Sequence, residues 1–291
     1  MKKSKFFLFL LLCIPCYCDK TLVIITGNVR GSSLAHESLE RHLLKPCQAD
    51  LFLCTQTPCD RSSYLYKLAT YIEEYPPADD WRLVMDEVSR ELFGELRWRK
   101  YKPTLLDECL VGKYDRFDKW TGIGSGFLTL YVRYHALKWL EKTGVLAHYD
   151  SFVISRSDFY YVADHPSISS LLAKNVHVAI PFAKADHGGI CDRHAVVDRM
   201  GLQAYLGALE VFLEFHPEYG PYSNIEAVLA ASLFKVHRLK PRRYLSPSYT
   251  VRSDSDGALT WSRGQRRDVN GLWIKQEDEY KEAQTCRPPN G

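Results

Sequence analysis

Two hydrophobic periods alternate along this chain. Short, nearly continuous apolar runs over residues 21–26 (TLVIIT), 50–55 (DLFLCT), 151–155 (SFVIS) and 176–182 (VHVAIPF) predict strands buried on both faces, as in a mostly parallel sheet. Residues 81–85 (WRLVM) predict a further strand by the same rule. Between these runs the apolar residues recur at helical spacing. A helix is predicted over 32–44, and one over 127–140 carries Phe127, Leu130, Tyr131, Tyr134 and Leu137 on one face with Arg133 and Lys138 off it. The clearest amphipathic pattern runs from 202 to 213, and a shorter helix over 225–234 opens with the capping-box pattern Ser223-x-x-Glu226. Beyond Arg242 the periodicity is weak; residues 249–251 predict one late strand, and the rest is expected to be irregular and to lie over the sheet edge. Strand and helix in alternation predict an α/β, Rossmann-like fold, a mostly parallel sheet flanked by helices.

The first 18 residues stand apart from this pattern. Lys2, Lys3 and Lys5 precede an apolar stretch over 6–14, followed by Pro15 and Cys16-Tyr17-Cys18, the order of a secretory signal peptide with cleavage expected near Cys18. That apolar stretch is about half the length a membrane-spanning helix needs, so no stable membrane insertion is expected after cleavage. No repeat, low-complexity linker or charge block divides residues 19–291, which predicts a single domain. Removing the three signal lysines from the 38 basic residues leaves 35 against 35 acidic ones. A neutral mature chain argues against nucleic acid as a partner. Cys47, Cys54, Cys59, Cys109, Cys191 and Cys286 remain, and an even set in an exported chain predicts at least one disulfide, expected among Cys47, Cys54 and Cys59. No Cys-x-x-Cys pair among them marks a zinc knuckle or redox site.

Candidate chemistry gathers at the ends of the predicted strands, where open α/β sheets bind ligands. Arg156-Ser157-Asp158 follows the run over 151–155 and suggests an anion or metal-diphosphate site, or else a surface ion pair or turn cap. Gly27-Asn28-Val29-Arg30-Gly31 leaves the first strand and opens a helix, so its N–H groups and Arg30 suit a phosphate or a nucleotide base, unless glycine serves the turn alone. It matches neither the Walker A loop nor the dinucleotide Gly-x-Gly-x-x-Gly. The cluster Gly122–Gly126 also precedes a helix and reads as a loop capped by Ser125. His187-Gly188-Gly189-Ile190-Cys191-Asp192-Arg193-His194 packs polar and charged groups past a strand end; its spacing allows metal ligation, and a solvated loop with ion pairs fits equally. Glu226 is a catalytic candidate that the capping box already explains.

Taken in order, these motifs resemble the glycosyltransferase-like proteins of the GT-A fold found in capsule loci, large algal viruses and algae. The resemblance rests on the Gly27-Asn28-Val29-Arg30 turn, the second strand over 50–55, Tyr149-Asp150 leading to Arg156-Ser157-Asp158, then Asp192-Arg193, Asn224-Ile225-Glu226 and Val251-Arg252. It covers most of residues 21–255. It implies a GT-A-like fold and transfer of a sugar from a nucleotide-sugar donor to a glycan or protein acceptor in the secretory pathway. Gly27, Asn28, Arg30, Arg156, Asp158 and Arg193 would bind the donor. Asp192 would take the acceptor proton, with Glu226 in reserve. In that family an Asp-x-Asp usually holds a divalent metal on the diphosphate; here Arg156 replaces the first Asp, so Asp158 would keep one contact, to Mn²⁺ or Mg²⁺ or to the ribose, while Arg156 would neutralise phosphate charge, and strict metal dependence does not follow. The same missing Asp supports a different reading, a catalytically inactive domain that binds glycans or nucleotides.

Overall fold

The structure, a computed structural model, describes residues 20–100, 113–114, 120–121, 125–182, 186–214, 218, 224–252 and 267–288. The signal segment, Cys109 and Gly122–Gly124 of the glycine cluster lie outside these residues. The central element is a seven-stranded sheet. It contains β1 (Thr21–Thr26), β2 (Asp50–Gln56), β3 (Tyr71–Tyr75), β6 (Ser151–Ser155), β8 (Val178–Pro181), β9 (Ala195–Asp198) and β10 (Arg242–Tyr244); β4 (Lys113–Tyr114) and β5 (Trp120–Thr121) pair only with each other. The strand order is β10-β8-β9-β6-β1-β2-β3, and β9 alone runs antiparallel to its neighbours.

The continuous apolar runs are explained by two faces, both covered. Leu22, Ile24, Phe52, Cys54, Phe152 and Ile154 enter one core, against α3 (Trp81–Phe93), α4 (Ser125–Lys142), α6 (Arg199–Leu206), α7 (Ala208–Glu214) and α8 (Ile225–Ala230). Val23, Ile25, Leu51, Leu53 and Val153 enter the other, against Leu39 and Leu43 of α1 (Ser33–Leu39) and its continuing π turn, Leu65 of α2 (Tyr64–Leu68) and Leu171 of α5 (Ile168–Leu171). Each such side chain contributes about 1.5–3 kcal/mol by leaving water.

This layering corrects the disulfide expectation. Cys54 points into the first core while Cys47 packs on the second, so the sheet itself separates them; Cys59 hydrogen-bonds Glu74, and Cys47, Cys54, Cys59, Cys191 and Cys286 are all unpaired.

Several elements differ from expectation. Residues 81–85 begin α3 rather than a strand: Asp80 caps the helix by accepting from the Arg82 N–H, and Trp81, Met85 and Val88 are buried at helical spacing. The strand after β2 is instead β3 (YIEEY), whose acidic residues hide its alternation. The pattern over 202–213 divides at Gly207 into α6 and α7. The helix at 225 is capped by Asn224, whose Oδ1 accepts from the Ala227 N–H, while Ser223 lies outside the described residues. The C-terminal part is more regular than expected. β11 (Ser248–Arg252) pairs antiparallel with β7 (Phe159–Tyr161) and β12 (Trp273–Ile274), and α9 (Glu277–Thr285) buries Ala283 beside Tyr249, Val251 and Ile274.

Candidate functional site

The ends of β1 and β6 lie side by side in parallel register, which brings the two N-terminal motifs into contact. The Arg30 N–H donates to Ser157 Oγ at 2.9 Å, and Ser157 Oγ donates to the Asn28 carbonyl at 3.4 Å. Gly27 continues the ladder by donating to the Cys54 carbonyl. Gly31 has φ +91°, and a Cβ there would lie 3.1 Å from Ser157 O and 3.2 Å from Asp158 Cα, so glycine is what lets the turn close on Arg156–Asp158.

Asp158 is 2% exposed. Arg156 clamps its carboxylate with two parallel hydrogen bonds of 2.7 and 2.8 Å, and Lys275 Nζ stands 3.5 Å from Oδ2. Burial pushes this carboxyl up, but the Arg156 charge and hydrogen bonds, with Lys275 and Arg30 behind them, pull it down to about 2. Burial also pushes the Lys275 ammonium down, against the pull of Asp158. A divalent cation fits this donor set poorly. Hard cations take several oxygen ligands, yet both Asp158 oxygens already face cations, and no group of three or more His, Cys, Asp or Glu side chains able to hold a metal exists among the described residues.

A cleft of about 640 Å³ opens beyond the ends of β1 and β2, walled by Asn28, Arg30 and Gly31 on one side and Thr55, Ser63 and Tyr64 on the other. The hydroxyls of Thr55 and Ser63 are buried there without a hydrogen-bond partner among the described residues. Unpaired buried hydroxyls cost about 1–3 kcal/mol, which a polar ligand can recover.

A second charged cluster forms where the loop 186–194 meets the start of α8. Ile190 N–H donates to the Glu226 carbonyl, Asn224 Nδ2 donates to the His187 carbonyl, and a Cβ on Gly189 would fall 2.1 Å from Glu226 O. The paired glycines therefore serve close approach of the two segments. Arg133 reaches from α4 to the Asp192 carbonyl and stands 3.4 Å from its carboxylate. Arg193 bonds Glu279 Oε1 at 2.6 Å, while Glu279 Oε2 accepts from Thr250 N and Oγ1. Glu226 is 8% exposed; burial, reinforced by the charge of Asp192, pushes its carboxyl up to about 7 against Arg193 and Arg133. The two clusters meet through β11, where the Val251 N–H donates to the Asp158 carbonyl at 2.8 Å and the neighbouring Thr250 N–H donates to Glu279, the partner of Arg193; the charges of Asp158, Asp192 and Glu279 favour the charged form of Arg156 against the cost of burial.

No family model matches the sequence, and comparison with curated proteins finds no relative. Two solved structures are similar in outline. One is a glycosyltransferase involved in glycosylation of the major capsid of the virus PBCV-1, at 12% identity and TM-score 0.35, covering 77% of this chain and 79% of that one. The other is mouse xyloside xylosyltransferase 1 in its apo form, at 9% identity and TM-score 0.36, covering 78% of this chain and 85% of that one. Likenesses this distant do not bear on what the chain does.

Every candidate site residue read from the sequence thus falls in one of two adjoining clusters, Gly27, Asn28, Arg30, Arg156 and Asp158 in the first and Asp192, Arg193 and Glu226 in the second. His187 and His194 do not join Asp192 as a ligand set: His187 is exposed, and His194 turns inward to His165 Nε2 at 3.2 Å. The sequence reading missed four contributors. Arg133, assigned to the polar side of its helix, is 4% exposed and lies over the Tyr205 ring. Lys275 and Glu279 come from the segment expected to be irregular, and Thr55 lies near the end of β2, a strand read only as buried core. An inward-pointing arginine inside an apolar helix was a visible clue; the segment around Lys275 carries none.

Proposed function

We propose that this chain is a glycosyltransferase that moves a sugar from a nucleotide-sugar donor to a hydroxyl of a glycan or protein acceptor, acting in the secretory pathway. The observation that carries the reading is the closure of the Gly27–Arg30 turn on Arg156–Asp158 at the lip of a polar cleft, with a second carboxylate cluster joined to it through Thr250 and Val251. The nucleotide would occupy the cleft, its base and ribose meeting the turn amides and the Thr55 and Ser63 hydroxyls. Its diphosphate would face Arg30 and Arg156, whose charge stabilises the leaving group as the bond to the anomeric carbon breaks.

For an inverting course, the acceptor oxygen attacks that carbon while a carboxylate takes its proton. A base works best with a pKa near the working pH, and Glu226, raised to about 7, meets that condition. Asp192 lies beside the Arg133 guanidinium and supplies the negative charge that raises Glu226. Arg193, paired to Glu279, tempers the rise of Glu226.

The competing reading, a binding domain without transfer activity, is favoured by one feature: the full engagement of Asp158 by Arg156. A thermal-shift screen of the mature chain with UDP, GDP, CDP and ADP tests the nucleotide-binding premise. Ligand at 100 times its Kd stabilises by about 2.7 kcal/mol, so at least one nucleotide should raise Tm by several degrees; no shift with any of them defeats the transferase reading and leaves a glycan-binding domain. Sugar release from the matching nucleotide sugar then separates enzyme from binder.

A further inference from the structure

We infer that the half-buried Arg156 and the enclosed Lys275, with Arg30 at the lip of the cleft, hold the donor diphosphate directly in the place of a divalent cation. The inference rests on the nucleotide-sugar reading of this site. Arg156 and Lys275 both meet the Asp158 carboxylate, and the Arg30 turn closes on the same segment through Ser157. The charges of Arg156 and Lys275 are fixed by the fold rather than carried by mobile surface chains. Arg156 is set by its bidentate hold on Asp158, and the Lys275 side chain is 6% exposed, beside an Asp158 that is itself enclosed. Lys275 is delivered by backbone structure: its N–H donates to the Thr250 carbonyl at 3.0 Å, at the junction of β12 and α9, while β11 pairs with β7, the strand that follows Asp158. Asp158 in turn receives no room for a metal, since each of its oxygens is met by a cation.

A carboxylate with both oxygens already met by cations suits a neighbouring anion better than a metal, and the turn that brings Arg30 to this edge also lines the cleft. Asp158 then acts as a positioning residue that sets the guanidinium and ammonium for a diphosphate, not as a metal ligand. Such fixed cations need no ion to be recruited with the donor, and preorganised charge of this kind gives its stabilisation without rearrangement during the reaction.

The test is calorimetric titration of the full mature chain with the nucleoside diphosphate that shifts its Tm, once in EDTA and once with MnCl₂, followed by the same titrations on Lys275→Met and Lys275→Arg. The expected result is equal affinity, within about twofold, in both buffers, a loss of about tenfold or more in Lys275→Met, and near-complete retention in Lys275→Arg. Affinity that rises tenfold with Mn²⁺, or is seen only with it, overturns the inference and leaves the nucleotide-sugar reading standing. Absence of binding for every diphosphate in both buffers overturns that reading along with it. The wild-type comparison decides the matter even if Lys275→Met does not fold; if it folds with unchanged affinity, a purely structural role for Lys275 replaces the inference.

Discussion

Two nearly buried carboxylates, Asp158 at the end of β6 and Glu226 at the start of α8, stand in opposite electrostatic surroundings. Burial pushes Asp158 up, but Arg156, Lys275 and Arg30 about it outweigh that and bring it down to about 2. Glu226 is buried beside another carboxylate, Asp192, and rises to about 7 with Arg193 and Arg133 only tempering the shift. Burial works the same way on both, so the difference lies in the charge each neighbourhood presents. The first carboxylate is a committed charge that orders cations. The second is poised to exchange a proton near neutrality.

The largest way to break this contrast is Asp158→Ala, which strands Arg156 and the enclosed Lys275 without their anion. Breaking a buried pair in this way costs about 3–5 kcal/mol, and denaturant unfolding should register it; a loss under about 1 kcal/mol would mean the triad behaves as a surface pair. Glu226→Gln should do the reverse. Because the folded pKa of Glu226 is raised above 4.5, its contribution to stability is full below about pH 4.5 and is lost as pH rises through about 7. The variant should therefore be more stable than wild type near pH 8, by up to about 3 kcal/mol, and gain nothing near pH 4. Equal unfolding midpoints at both pH values would contradict the environment described for Glu226.

Wild-type stability in acid sharpens the other side. The folded pKa of Asp158 is depressed below 3.8, so its contribution is present above about pH 4 and lost as pH falls toward 2, in total about 2 kcal/mol. An Asp158→Asn variant should lack that segment of the acid-unfolding curve, and a curve parallel to wild type would contradict it. Smallest is Gly31→Ala, where positive φ and a Cβ 3.1 Å from the Ser157 carbonyl should cost about 1–2 kcal/mol and widen the turn over Arg156. Its readout is Tm together with nucleotide affinity, both lowered.

The same contrast shows what was legible in the sequence. β1, β2 and β6 announce themselves because each is buried on both faces, and the turns that follow them carry Arg30 and Asp158 to one edge. The loop over 187–194 is visible by its density of polar groups, and Asn224–Glu226 by its cap, though which residue caps the helix is set by local geometry that Ser223 and Asn224 satisfy equally on paper. Lys275 is illegible for a physical reason. It reaches Asp158 through antiparallel pairing of β11 with β7 across a sequence separation of 117 residues, and a two-residue strand such as β12 has no period to detect. The strands β3 and β10 are hidden likewise, because they are edge strands, with Glu73 and Glu74 half-buried and Ile72 exposed in β3, and Arg242 exposed in β10. A five-residue window made the start of α3 look like a strand, since Trp81, Leu83, Val84 and Met85 fall together before the helical period has room to repeat.

The central claim, that the two clusters form one transfer site with Glu226 as its base, is tested most directly by Glu226→Gln in a nucleotide-release assay. With the nucleotide sugar that the wild type turns over, the variant should bind the nucleoside diphosphate with unchanged affinity and release it from the donor about 10²–10⁴ times more slowly. Release at the wild-type rate would contradict the account.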